Sequence, residues 1–269
     1  MSLIFNYIIL GIVQGLTEPL PISSSGHVMI IHNLLKSSID VELLAVITNF
    51  GSLIAICFLY RNKLLKLIKG FFSYFKNETK DNKQSFRYSL LLIIATIPAG
   101  LMGLIVSITD VFDVLEKNIK FVGITLLITS VFLFLIRNIK GTKEEKNITL
   151  KDAIIIGLFQ VVALLPGISR SGATITGAMF RDLRRDVAFD FSFMLYIPIS
   201  FATMILGIKD LIKCNLDFAN TIFYLMAAVL AGVITYYATK WFKNLVKNGK
   251  LIYFSIYCLI VGLLIIIFL

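Results

Sequence analysis

Charge is what this chain has least of. Asp, Glu, Lys and Arg make up 16% of its 269 residues, against about a quarter in an ordinary soluble domain. Hydrophobic residues make up 58% and the mean hydropathy is +0.88. A water-soluble domain is therefore excluded. Cysteine is also scarce. The three present, Cys57, Cys214 and Cys258, lie far apart, which rules out a disulfide framework or a cysteine zinc module and leaves them as small packing residues. The apolar runs show no period-two alternation, so the chain is not a membrane β-barrel. No basic residue precedes the first apolar stretch and no A-x-A site follows it, so a cleaved signal peptide is not expected.

What is present is a set of apolar runs near the roughly 20 residues that carry a helix across a bilayer. Six complete spans are expected at 41–60, 88–107, 120–136, 187–208, 220–239 and 251–269. Two further stretches, 3–36 and 152–180, are interrupted in the middle. The fold class expected is an all-α polytopic membrane protein, 1–269, forming a single membrane domain. The formal net charge is +10, but the basic residues gather in loops between spans. That is the pattern of cytoplasmic loops and anionic lipid contact, not of nucleic-acid binding.

Loop charge then sets the topology. Arg61, Lys63, Lys66, Lys69, Lys76, Lys80, Lys83 and Arg87 place 61–87 inside. Asp110, Asp113 and Glu116, against Lys117 alone, place 108–119 outside. Arg137, Lys140, Lys143, Lys146 and Lys151 place 137–151 inside, and RDLRRD at 181–186 is inside as well. The mixed loop 209–219 falls outside, and Lys240, Lys243, Lys247 and Lys250 place 240–250 inside. Both ends of 152–180 are thus inside, so this stretch must enter and return. The same count makes 3–36 a hairpin opening to the other side. Each arm, at about 12–15 residues and 1.5 Å per residue, reaches the region of the midplane.

The two interrupted stretches align without a gap at an offset of 146. Gly11-Ile-Val-Gln14 lies over Gly157-Leu-Phe-Gln160, and Ile22-Ser-Ser-Ser-Gly26 over Ile168-Ser-Arg-Ser-Gly172. Pro21 and Pro166 precede the serines, one position out of register. A hairpin followed by three spans, occurring twice in opposite orientation, is an inverted-topology repeat. Its halves are about 1–136 and 150–269. Broken helices at the midplane are tolerated only around protein or a wet cavity. Their capped N-termini present N–H groups and positive dipole ends, an anion site.

Glu18 and Arg170 fall inside apolar segments, where ionisable groups mark function by default. Glu18 at a surface would merely snorkel. A structural Glu18–Arg170 pair tying the tips together is the bland alternative for the arginine. Ser23, Ser24, Ser25, Ser169, Ser171 and Thr174 supply hydroxyls, each singly more typical of a cap or a packing contact. Ser24 is the nucleophile candidate because His27 lies three residues on, on the same helical face, as a general base. Gln14 lies one turn before Glu18 and can orient a substrate, a water or Glu18 itself, or simply bond a neighbouring helix. His32 has an ordinary context. Such a pocket suits an anion with a reactive anhydride bond, carried on an amphiphile.

At QGLTEPLPISSSGH and LLPGISRSGAT the chain resembles the undecaprenyl-diphosphate phosphatase (bacitracin-resistance) family of bacterial membrane enzymes. The resemblance implies removal of the terminal phosphate of undecaprenyl diphosphate, giving the monophosphate lipid carrier of cell-wall synthesis and resistance to bacitracin. It implies a multi-pass plasma-membrane location with the pocket facing outward, and a divalent cation, Mg²⁺ or Ca²⁺, to which Glu18 would contribute. The family's motif residues fall on Gln14, Glu18, Ser23, Ser24, His27, Ser169, Arg170 and Thr174, with Ser171 beside them. Ser24, His27, Glu18 and Arg170 are the catalytic candidates; Gln14, Ser23, Ser169, Ser171 and Thr174 are the substrate-binding ones. Many members carry glutamate where this chain has Gln14, which should weaken cation binding here. Pro19 stands where an aromatic residue is common. A flippase or transporter using the same pocket is the rival function. The sequence is silent on oligomeric state, with a homodimer as one admissible assembly.

Overall fold

In a computed structural model of the chain, residues 3–107, 109, 115, 118–213 and 217–269 are described, 208–213 by their backbone alone. Asp110, Asp113, Glu116 and Lys117 of the acidic loop, and Cys214, lie outside the described residues. The described residues form eleven α-helices and no strand. These are α1 (Leu3–Thr17), α2 (Ser24–Leu34), α3 (Val41–Leu59), α4 (Arg61–Tyr74), α5 (Lys80–Val106) and α6 (Ile119–Ile136), then α7 (Leu150–Val162), α8 (Arg170–Phe180), α9 (Arg185–Lys213), α10 (Phe218–Lys247) and α11 (Ile252–Phe268).

Local chemistry fixes most helix starts. Asp40, Thr79, Asn118 and Asp217 each accept the N–H three residues on and cap α3, α5, α6 and α10. At α7, Thr149 and Asp152 form a reciprocal capping box. Five helices, α3, α5, α6, α9 and α10, are long and apolar enough to cross a membrane, and α11 follows with 17 residues. The chain is a multi-pass, all-helical membrane protein.

The basic stretch 61–87 is not a simple loop. It contains the amphipathic helix α4, and α5 starts at Lys80, eight residues before the expected span. Leu67 and Gly70 of α4 are buried while Lys66 and Lys69 stay exposed. A Cβ at Gly70 would lie 2.4 Å from Cβ of Ser85, so only glycine lets α4 lie this close along α5.

The interrupted stretches form two helix–turn–helix pairs, α1–α2 and α7–α8, each docked on a long helix through a glycine. A Cβ at Gly11 would fall 2.8 Å from the Ala227 carbonyl oxygen of α10, and one at Gly157 would fall 2.6 Å from that of Ala95 in α5. The two turns face each other. The Ser171 hydroxyl donates to the Leu20 carbonyl at 3.2 Å, and the Ser169 hydroxyl reaches the same oxygen at 3.5 Å. Gly167, at φ +86°, makes the second turn against α6, where any side chain would strike Thr125 Oγ1.

Candidate active site

The first tip supplies a carboxylate with every oxygen engaged. Glu18 Oε2 accepts from Gln14 Nε2 at 2.9 Å and from Ser24 Oγ at 2.6 Å. Its Oε1 accepts from Arg170 Nη2 of the second tip at 2.6 Å. The Glu18 side chain is 7% exposed and that of Arg170 24%. A carboxylate can only accept, so the Ser24 hydroxyl proton points at Glu18 and the oxygen's lone pairs point outward. That is the arrangement of a nucleophile and its base.

Ser23 sets this up. It stands at φ +68°, a left-handed conformation that a non-glycine residue adopts at a cost. There its side chain caps α2 by accepting the Gly26 N–H, and Ser24 becomes the first helical residue facing back across the turn. Ser169 is the counterpart in the second tip: it caps α8 through the Gly172 N–H, and its own N–H is held by Thr129 Oγ1. It lets Arg170 leave the first turn of α8 toward Glu18. Both helix N-termini thus open on the same place.

His27 does not meet Ser24 as expected. The Ser23 carbonyl accepts both its backbone N–H and its ring Nδ1, the latter at 2.8 Å, while Nε2 lies 2.7 Å from the Tyr257 hydroxyl of α11. A carbonyl only accepts, so Nδ1 carries the proton, and the neutral ring takes the Tyr257 O–H at Nε2. The two rings also stack at 5.5 Å. Shared helical face was not enough: the Ser23 carbonyl turns the imidazole to α11.

Thr174 donates to the Arg170 carbonyl and lies 2.6 Å from the Ser192 hydroxyl, 1% exposed, as an interhelical contact. His32 bonds the Ile39 carbonyl. Sequence reasoning missed the seat of Arg170. Its Nη1 donates to Ser200 Oγ at 3.0 Å, and its guanidinium carbon lies 4.0 Å from the Tyr196 ring centre. The Tyr196 hydroxyl in turn donates to Asn49 Oδ1 at 2.6 Å. These residues lie in spans with no polar motif to single them out.

The pocket between Glu18, Arg170, Ser171, Ser192 and Tyr196 has a free volume of about 10 Å³, no more than the roughly 10–15 Å³ one water needs. In this state the cation and the carboxylate occupy each other. Among the described residues no three His, Cys, Asp or Glu side chains gather as metal ligands, and both oxygens of the lone carboxylate are taken.

Residues 7–264 match the family described as "Bacitracin resistance protein BacA". The chain belongs to that family. It is 46% identical over 269 residues to "Undecaprenyl-diphosphatase 2" of Bacillus thuringiensis (strain Al Hakam), covering 99% of this chain and 98% of that protein. It is 42% identical to "Undecaprenyl-diphosphatase 1" of Bacillus licheniformis, with 98% of each chain covered. To "Undecaprenyl-diphosphatase" of Oceanobacillus iheyensis it is 40% identical, over 99% of this chain and 97% of that one. The BacA match thus takes in the tips of both hairpins and the whole Glu18–Ser24–Arg170 constellation.

Proposed function

We propose that this chain is an integral membrane phosphatase that hydrolyses undecaprenyl diphosphate to undecaprenyl phosphate and inorganic phosphate, recycling the lipid carrier of cell-wall synthesis and conferring bacitracin resistance. The observation that carries it is the 2.6 Å bond from Ser24 Oγ to Glu18 with Arg170 on the same carboxylate, in a chain whose relatives carry the name undecaprenyl-diphosphatase. A carrier needs a clamp but no nucleophile–base pair, so hydrolysis is favoured over transport.

Arg170 is the pivot of the mechanism. An arriving diphosphate competes with Glu18 for the guanidinium, whose planar fork fits two phosphate oxygens. Once Arg170 turns to the substrate, Glu18 keeps only Gln14 and Ser24 as partners and is placed to take the Ser24 proton. Ser24 Oγ attacks the terminal phosphorus and its proton passes to Glu18. The bond from that phosphorus to the bridging oxygen breaks, and undecaprenyl phosphate leaves with the bond's electron pair. Glu18 passes that proton to the phosphate oxygen of the departing lipid and, ionised again, deprotonates a water that attacks the phosphoserine; Ser24 departs, takes the proton back from Glu18, and inorganic phosphate is released. Arg170 and the first N–H groups of α2 and α8 neutralise the equatorial oxygens throughout. His27, fixed by Tyr257 and the Ser23 carbonyl, borders the site as a neutral hydrogen-bonding group. A Mg²⁺ or Ca²⁺ ion, implied by the family resemblance, would be held by Glu18 together with the diphosphate and would neutralise phosphate charge.

The two hairpins are proposed as re-entrant and the halves, about 1–136 and 150–269, as an inverted repeat. The paired Gly11–Ala227 and Gly157–Ala95 contacts support this. The site is proposed to face the outer side, supported by the basic loops at the opposite helix ends. The test is phosphate release from undecaprenyl diphosphate by pure protein in detergent, where no gradient exists. Turnover supports the enzyme; none, with lipid bound, supports a carrier.

A further inference from the structure

One face of α9 is given over to the second tip. Ser192, Tyr196 and Ser200 stand four residues apart and so share a helical face. Each meets the start of α8. The Ser192 hydroxyl lies 2.6 Å from that of Thr174, which donates to the Arg170 carbonyl. Ser200 Oγ accepts from Arg170 Nη1 at 3.0 Å. Between them the Tyr196 ring lies against the guanidinium, 4.0 Å from ring centre to guanidinium carbon. The ring is itself held: Tyr196 is 5% exposed, and its hydroxyl donates to Asn49 Oδ1 of α3 at 2.6 Å.

The first half of the chain has no counterpart of this face. At the offset that aligns the hairpins, the same positions on α3 are Val46, Phe50 and Ile54, of which Phe50 and Ile54 are exposed. At that offset Arg170 lies over Ser24. The polar face thus occurs only in the half whose tip carries the cation. A contact that served helix packing alone has no reason to follow the arginine.

The guanidinium makes two kinds of contact. Its N–H groups bond Glu18 and Ser200, and its carbon lies over the Tyr196 ring. In the resting state Glu18 and the ring both fix its place. When a diphosphate takes an N–H from Glu18, the ring and Ser200 are the contacts that remain. The ring attracts the cation without neutralising it, and it does not compete with phosphate oxygens for the N–H groups. We infer that Tyr196 is a positioning residue, whose ring keeps Arg170 aimed at the diphosphate after Glu18 lets go, and that Asn49 acts through Tyr196 by fixing the ring. This rests on the proposed phosphatase function and adds to it what positions the cation at the reacting phosphate.

The first test uses the vacated seat. Arg170→Ala should recover part of its phosphate release when guanidinium is added, and the half-rescuing concentration reads the seat. In that background Tyr196→Phe keeps the ring, while a trifluorinated phenylalanine at 196 keeps its bulk and draws electron density from its face. From the first to the second the half-rescuing concentration should rise on the order of tenfold, with the unfolding temperature unchanged. Equal concentrations would reduce Tyr196 to packing. Asn49→Leu should lower kcat/KM roughly fivefold beside Tyr196, the worth of one hydrogen bond, and add no loss beside Tyr196→Phe. Losses that add would overturn its action through the ring. A last readout is free of turnover. The fluorine NMR resonance of a ring-fluorinated tyrosine at 196 should shift on Arg170→Ala. It should hold its wild-type position at saturation with the methylene-bridged analogue of farnesyl diphosphate, which is not cleaved and whose binding is followed by calorimetry. Movement to the Arg170→Ala position on binding would show that the guanidinium leaves the ring and would reject the role. A wild type that releases no phosphate from undecaprenyl diphosphate yet holds that resonance rejects the phosphatase function alone.

Discussion

Ser24 Oγ donates to Glu18 at 2.6 Å, while the histidine one turn along the same helix is turned away to Tyr257. In the proposed mechanism the base for Ser24 is therefore the glutamate across the turn, not the histidine. Replacing it by its amide keeps size and hydrogen bonding but removes the proton acceptor. Glu18→Gln should lower kcat roughly 10²–10⁴-fold in a phosphate-release assay, the usual worth of a general base. A loss under threefold would remove Glu18 from that role.

Arg170 makes its contacts as a fork, one nitrogen on Glu18, one on Ser200, with the plane over Tyr196. Lysine keeps the charge and loses the geometry. Arg170→Lys should cost about 100-fold in kcat/KM, and added guanidinium should restore part of the activity of Arg170→Ala. Full activity in Arg170→Lys would show that bare charge suffices.

Tyr257→Phe keeps the ring stacked on His27 and removes only the O–H on Nε2. The expected effect is the loss of one hydrogen bond, about 1 kcal/mol or roughly fivefold in kcat. Loss as large as that of Glu18→Gln would instead place His27 at the reacting atoms.

Gln14 donates to Glu18, where a second carboxylate would repel it. Gln14→Glu should need a divalent cation to hold the two acids together. In a titration of activity against Mg²⁺ or Ca²⁺, half-maximal activation should fall about tenfold in concentration. An unchanged titration would show that the cation is held by the diphosphate alone.

Gly51 of α3 and Gly100 of α5 give a stability test free of catalysis. Gly51→Ala forces a methyl onto the Ala228 carbonyl and should cost about 1–3 kcal/mol, seen as a lower unfolding temperature in detergent. Among the described residues no atom lies within 4 Å of a Cβ at Gly100 of α5, so Gly100→Ala should be neutral or stabilising by about 0.5–1 kcal/mol. Equal losses would mean that Gly100 is packed as tightly as Gly51.

The membrane class, the helical hairpins and the meeting of Glu18 with Arg170 were legible because each leaves a local mark: an apolar run, a proline–serine break, an ionisable group where none belongs. The Glu18–Arg170 pair reads in the sequence as a structural tie, and it is present as one. Tyr257, Tyr196 and Ser200 left no such mark, since a tyrosine or serine in a span is ordinary and only tertiary packing brings it to the site. The turn of His27 depended on one backbone carbonyl at a left-handed residue, which no helical periodicity encodes. The basic stretch 61–87 hid α4 because its charges set topology more visibly than its apolar stripe set structure.

The central claim is that Glu18 and Ser24 act as one unit on the terminal phosphorus. Phosphate release from undecaprenyl diphosphate by the pure wild type, Glu18→Gln, Ser24→Ala and the double variant tests it most directly. Each single variant should fall to the level of the double, because removing either partner disables the pair. Losses that multiply in the double variant, or near-normal turnover in Ser24→Ala, would contradict it.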